Sequence, residues 1–291
     1  MNGAGARALR TMLRQPGIVV APGVYDGLSA RIAAAAGFGA LYVSGGAVAR
    51  SGGVPDLGLL TMTEVLGRIR EVVDAVAETG IVVIADADTG YGNALNTRRT
   101  VREFERLGVA ALHIEDQVTP KKCGHYDDKA LISTAEMCGK IRAATDARID
   151  DDTVLIVRTD AIATDGLDAA LERGARYVEA GADVLFVEAP TSREEIVRIG
   201  AALDVPLLIN MFAGGKTPQL PAGELEAAGY KLMIAPSDLQ RAAMAAMRAV
   251  AKELKETGST AGAGVPMAAF AERDELVALA EFQRLEARYA S

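Results

Sequence analysis

The chain has 291 residues, half of them hydrophobic, and no apolar run near the ~20 residues that a membrane-spanning helix needs. That apolar content excludes a disordered chain and suffices for a large core. A formal charge of −8, no Trp and few aromatics give a nucleic acid neither charge nor stacking platforms, whereas a small anionic substrate stays compatible if a metal and a few arginines reverse the sign locally.

Residues 1–15 carry Arg7, Arg10 and Arg14 but no apolar h-region, so no signal peptide is expected and the default compartment is cytoplasmic. Short β-branched runs then recur at residues 18–21, 41–44, 81–86, 111–115, 154–158, 184–188, 206–210 and 231–235. Each is read as a strand, and each is followed by helix signals. Thr61 with Glu64, Ser133 with Glu136 and Thr191 with Glu194 fit the capping box, in which side chains satisfy free N–H groups of a first turn. After Thr61, Val65, Leu66, Ile69, Val72, Val73 and Val76 fall on one helical face.

Eight β–α alternations predict an α/β fold, a (β/α)8 TIM barrel. A doubly wound sheet is the alternative, but it leaves the Gly-Ala-Asp and Gly-Val-Ala lead-ins to strands unexplained. With no linker or low-complexity tract, one barrel domain is expected over 1–291, with 262–291 a C-terminal helical arm. Residues 267–291 read as a charged amphipathic helix packed on a neighbour or on another subunit.

Catalytic groups of such barrels come from the C-terminal strand ends. Those ends here offer Tyr42 and Ser44-Gly45-Gly46, then Asp86 and Asp88, then His113, Glu115 and Asp116, then Arg158 and Asp160, Glu188 and Asn210. Asp86 and Asp88 alternate along one strand and so point to one side, with Glu115 able to join them. Clustered carboxylates repel unless a hard cation is present, and oxygen donors suit Mg²⁺; the plainer reading is that one aspartate caps a helix. Free N–H groups at Gly45-Gly46 form either a carboxylate cradle or a turn. Arg158, structural or catalytic, is the only fixed positive charge from the strand ends.

The densest chemistry lies in Lys121-Lys122-Cys123-Gly124-His125. A thiol, an imidazole and two ammonium groups hinged by a glycine read as a mobile acid/base loop, with a solvated turn as the alternative. Two cysteines are too few for a disulfide framework, which suits a reducing compartment. Cys138, on a predicted helix, reads as a small hydrophobe. Asp150-Asp151-Asp152 reads as a solvated loop, and His113 as a hydrogen-bonded core histidine. Gly214-Gly215-Lys216-Thr217 lacks the leading glycine of a phosphate loop, so no nucleotide site is expected.

Taken together, Ser44-Gly45-Gly46, Pro55-Asp56-Leu57-Gly58, Asp86-Ala87-Asp88-Thr89-Gly90, Ile114-Glu115-Asp116-Gln117, the 121–125 loop, Arg158-Thr159-Asp160 and Asn210 resemble the isocitrate lyase/phosphoenolpyruvate mutase superfamily. The branch it looks most like is the methylisocitrate lyase and 2,3-dimethylmalate lyase group, over residues 22–241. The resemblance implies a Mg²⁺-dependent carbon–carbon lyase, with Mn²⁺ as a possible substitute, cleaving a 2-hydroxy dicarboxylate by a retro-aldol/Claisen route to a 2-oxo acid and a carboxylate. It implies that Asp86 and Asp88 hold the metal, helped by Asp56 and Glu115 through water or hydrogen bonds. Ser44, Gly45 and Gly46 would bind a carboxylate, and Gly124, Arg158, Glu188, Asn210 and Arg241 would surround the reacting centre, with Arg273 a further contact. Tyr42 would take the proton of the 2-hydroxyl. Cys123 would return a proton to the carbanion, its thiolate favoured by Lys121, Lys122 and His125. Family members exchange C-terminal helices, which implies a homodimer or homotetramer.

One departure bears on the substrate. Methylisocitrate lyases carry a polar Thr-Glu pair just past the strand-seven asparagine, where this chain has Met211-Phe212-Ala213. An apolar Phe212 offers a third carboxylate no hydrogen bond, which favours dimethylmalate, or oxaloacetate cleaved hydrolytically. Carbon–phosphorus chemistry on a phosphonopyruvate-like substrate and a non-catalytic dicarboxylate-binding barrel are the other readings.

Overall fold

The computed structural model describes residues 3–124, 126 and 128–290. Eight strands, β1 (Val19–Val24), β2 (Ala40–Val43), β3 (Val82–Asp86), β4 (Ala111–Glu115), β5 (Val154–Thr159), β6 (Val184–Val187), β7 (Leu207–Asn210) and β8 (Tyr230–Ala235), pair in parallel with their sequence neighbours. β1 closes on β8, through Val19 opposite Leu232 and Pro22 opposite Ala235. The fold is therefore the expected (β/α)8 barrel. Strand ends differ from the predicted ones by three residues at most, the largest shift being residue 21 against Val24.

Strand alternation sorts the core into two layers. Ala40, Tyr42, Ile84, Ala111, Ile156, Phe186 and Leu208 point into the barrel, while Leu41, Val43, Val83, Leu112, Val157 and Leu185 face the surrounding helices. An N-terminal helix, Ala4–Arg14, adds Leu9 and Leu13, one turn apart, to the inner layer and packs against β3 and β5. Its Arg10 donates to the carbonyls of Asp151 and Asp152 and pairs with Asp183 at 3.1 Å. The 150–152 loop thus fastens this helix instead of being merely solvated.

The helix Met62–Ala75 carries the complete box between Thr61 and Glu64 and buries Val65, Ile69 and Val72. A cap of this kind is worth about 1 kcal/mol. Ser133 caps Thr134–Thr145 by accepting from the Glu136 N–H. The third box is displaced by one residue. Ser192, not Thr191, caps Arg193–Ala202 by accepting from the Glu195 N–H, and the Glu195 carboxylate accepts from the Thr191 N–H.

The C-terminal segment is two helices and not one. Phe270–Leu276 and Leu279–Tyr289 are separated by Ala278, whose φ of 56° lies in the left-handed region and ends the first helix. Met267, Phe270, Phe282 and Tyr289 on this arm are all exposed. Among the described residues, no helix is long and apolar enough to cross a membrane.

Candidate active site

Inward parity continues past the apolar layer to the C-terminal strand ends, and that builds the site. Asp86 follows inward Ile84, His113 and Glu115 follow Ala111, Arg158 follows Ile156, Glu188 follows Phe186, and Asn210 follows Leu208. Register then makes neighbours of them: Asp86 lies opposite His113, Glu115 opposite Arg158, and Arg158 opposite Phe186. Above them opens a cavity of about 420 Å³, lined among others by Tyr42, Ser44, Gly46, Asp56, Asp86, Lys121, Cys123, Gly124, Arg158, Glu188 and Asn210.

Ser44 caps the helix Gly45–Ser51 by accepting from the Ala47 N–H, so the expected carboxylate cradle is a helix N-terminus. The Gly45 N–H already donates to Asp86 Oδ2 at 3.1 Å. A Cβ at Gly45 would stand 2.7 Å from Asp86 Oδ2 and 3.4 Å from Asp88 Oδ1, so glycine is what lets this backbone meet both carboxylates. Those carboxylates do not converge by strand alternation. β3 ends at Asp86, and Asp88 sits in a left-handed turn with φ 47°.

Lys121 has a different place from the one expected. Its ammonium is buried 2.5 Å from Asp56 and 2.9 Å from Asp88, so it belongs to the carboxylate cluster. Lys122 turns to the Asp128 carbonyl. His125 lies outside the described residues. Burial disfavours the Lys121 cation, but Asp88, Asp86 and Glu115 outweigh it and hold the amine well above its usual range. Burial also opposes ionisation of Asp86, yet the His113 ring, Lys121 and the Asp88 N–H lower this carboxyl to about 2. Asp88 goes the other way: burial, with Asp86 and Asp56 nearby, outweighs Lys121 and raises it to about 6.

Arg158 is the hub of the opposite wall. Its Nε and Nη2 donate to the two oxygens of Asp160, each at 2.9 Å, while Nη1 stands 3.4 Å from Glu115 and 3.8 Å from Glu188. The guanidinium lies 5.3 Å from the Phe186 ring centroid. Asn210 Nδ2 donates to Glu188 at 3.3 Å.

Six carboxylates (Asp56, Asp86, Asp88, Glu115, Asp160, Glu188) thus surround three buried cations (Lys121, Lys129, Arg158). Glu115 Oε1 is buried without a hydrogen bond, and Asp88 Oδ1 meets only the Lys121 ammonium among the described residues. Surplus negative charge on hard oxygens fits a divalent cation on one or two carboxylates, the Mg²⁺ style of site. Among the described residues no three His, Cys, Asp or Glu side chains converge as ligands; Asp56 is held by Lys121, and Glu115 lies deeper against Arg158.

Two further expectations are corrected. Arg241 is half exposed at the rim, where it donates to the Ala213 carbonyl and pairs with Asp238, and so holds the loop after β7 without lining the cavity. Arg273 is on the exposed arm, paired with Asp274 and stacked on Phe270, and does not line the cavity.

The comparisons with known proteins agree with this geometry. Residues 9–255 match the family model for phosphoenolpyruvate phosphomutase. The chain is 45% identical to 2,3-dimethylmalate lyase of Eubacterium barkeri, covering 98% of both chains. It is 47% identical to 2-methylisocitrate lyase of Aeropyrum pernix over 86% of this chain and 80% of that one. The chain belongs to the phosphoenolpyruvate mutase/isocitrate lyase superfamily. Solved structures agree. A 2,3-dimethylmalate lyase superposes with a TM-score of 0.92 at 38% identity, covering 99% of this chain and 96% of that one. An oxaloacetate acetylhydrolase in complex with 3,3-difluorooxalacetate gives 0.93 at 34%, over 99% and 98%. A phosphonopyruvate hydrolase with oxalate and Mg²⁺ gives 0.88 at 32%, over 99% of each.

On this superfamily barrel, several site residues escape the strand-end reading. Arg50 and Lys216 add cations to the cavity lining, and Gly214 and Gly215 line it too. The segment set aside as a failed phosphate loop is therefore part of the wall, a role its position just after β7 signals. Phe212 lines the cavity as well. His113 is the buried, hydrogen-bonded histidine expected, but it lies against Tyr42 and Asp86 and so belongs to the site floor.

Proposed function

We propose that this enzyme is a Mg²⁺-dependent carbon–carbon lyase that cleaves a 2-hydroxy dicarboxylate of the dimethylmalate type to a 2-oxo acid and a carboxylate. The observation that carries this reading is one cavity lined at once by Cys123, Arg158, Tyr42 and Asp86. Relatives that are 2,3-dimethylmalate and 2-methylisocitrate lyases support it.

Asp86 and Asp88 are the residues to hold the ion, which when bound supplies positive charge toward the 2-oxo acid half. The rest is work for the chain itself. Burial and the Asp86 charge push the Tyr42 phenol well above its usual range, so Tyr42 is no tyrosinate base. Its oxygen can accept the proton of the substrate hydroxyl while passing its own to His113 Nε2, 2.6 Å away, on a ring whose pKa burial lowers. The carbon–carbon electron pair then moves to the departing carboxylate's α-carbon. Arg158, fixed by Asp160, faces the developing negative charge; a preorganised donor of this kind is worth about 3–4 kcal/mol. Cys123 Sγ delivers the proton that ends the reaction.

Phe212 in the lining supports an alkyl group at that wall over a third carboxylate. Hydrolytic cleavage of oxaloacetate is the second reading, favoured by the likeness to oxaloacetate acetylhydrolase. The exposed apolar arm supports a homodimer or homotetramer. A panel of 2-hydroxy and 2-oxo dicarboxylates with Mg²⁺, read by product mass, tests the reading. Splitting of a 2-hydroxy acid supports it, and turnover of phosphonopyruvate alone overturns it.

A further inference from the structure

We infer that Asp160 and Lys129 form a positioning pair that registers the loop at Gly124, next to Cys123, on Arg158. Asp160 is fully buried. Its Oδ2 accepts from Arg158 Nε, and its Oδ1 accepts from both Arg158 Nη2 (2.9 Å) and Lys129 Nζ (2.8 Å). The same Lys129 ammonium donates to the carbonyl of Gly124, and its side chain is only 1% exposed. One carboxylate oxygen therefore ties the arginine on β5 to the thiol-bearing loop.

The contact is close. A Cβ at Gly124 would overlap Arg158 Nη2 and stand 2.7 Å from Glu188 Cγ, so the peptide lies directly on the guanidinium. Asp160 is itself anchored. Its N–H donates to Asp116 Oδ1 at 3.0 Å, while Asp116 Oδ2 accepts from Thr159 (2.7 Å) and Tyr177 (2.8 Å). A buried lysine with one ion pair and one carbonyl has no call to sit there unless it spans the two. Bridging fixes how far the thiol stands from Arg158, a distance that proton delivery depends on steeply.

This inference takes from the proposed reaction that Cys123 and Arg158 act on one substrate, so its test reads geometry without turnover. The probe is iodoacetamide, at pH high enough that the alkylation rate no longer changes, with Cys123 and Cys138 separated by peptide mass. Lys129→Met should raise the Cys123 plateau rate at least tenfold while leaving oxalate affinity, with Mg²⁺, within threefold. Lys129→Arg should return the rate to within threefold of the parent. Should the methionine variant fail to fold, Lys129→Gln, which keeps a donor without the charge, is read the same way. A plateau rate within twofold of the parent in a folded neutral variant overturns the inference. Failure of every dicarboxylate in the panel would overturn the proposed reaction and leave this ratio to be read on its own.

Discussion

The hydroxyl of Tyr42 lies 2.6 Å from Nε2 of His113 at the closed floor of the cavity. Both side chains are buried, their rings are stacked at 5.7 Å, and His113 Nδ1 has no hydrogen bond among the described residues. Tyr42→Phe removes only the oxygen through which the substrate hydroxyl can lose its proton. The expected result is a fall in kcat of about 10²–10⁴-fold with the thermal midpoint little changed, read by steady-state kinetics and calorimetry. A loss below threefold would leave Tyr42 a packing residue.

Metal binding should depend on pH through Asp88. Its carboxyl is raised from 3.8 to about 6 in the folded chain, so the metal-free protein should lose stability as pH rises across that interval. Mg²⁺ needs the ionised form, so below about pH 6 binding must expel a proton and apparent affinity should fall up to tenfold per pH unit. Calorimetry in two buffers of different ionisation enthalpy measures that proton. Proton release at pH 5.5 that is absent at pH 8 is expected, and pH-independent affinity would remove Asp88 from the metal site.

Cys123→Ser keeps the shape of the proposed donor but replaces a thiol with a much weaker acid. Turnover should fall by about 10²–10⁴-fold, while oxalate affinity with Mg²⁺ stays within a few-fold, because Asp86 and the Ser44 helix end are untouched. Nearly normal turnover would take Cys123 out of the mechanism.

Phe212 lines the cavity, and a carboxylate buried beside it without partners is penalised by several kcal/mol. Methylisocitrate should therefore show kcat/KM lower than dimethylmalate by orders of magnitude, and Phe212→Thr should narrow that ratio at least tenfold. Equal values for the two acids in the parent enzyme would contradict this account of the wall.

The barrel was legible because period-two burial and recurrent caps are local signals. The strand-end residues were legible for the same reason, since their parity is that of the inward core. What stayed hidden depends on chain reversals that no local pattern encodes. Lys121 meets Asp56 and Asp88, far apart in sequence, through tertiary contacts alone. Asp88 turns on a left-handed residue, a conformation that sequence alternation does not announce. Thr191-Ser192 offers two overlapping boxes, with Glu194 and Glu195, and the helix takes the second. Leu9 and Leu13, spaced as helical neighbours, could have revealed the N-terminal helix.

The measurement that bears most directly on the central claim is cleavage of 2,3-dimethylmalate in D₂O with Mg²⁺, followed by mass analysis of both products. Splitting between carbons 2 and 3 leaves a 2-oxo acid and a carbanion that must take its proton from an exchangeable donor. Pyruvate is expected together with propionate carrying one deuterium on its α-carbon, and neither product in excess chelator. Unlabelled propionate, or undiminished cleavage in the chelator, would contradict it.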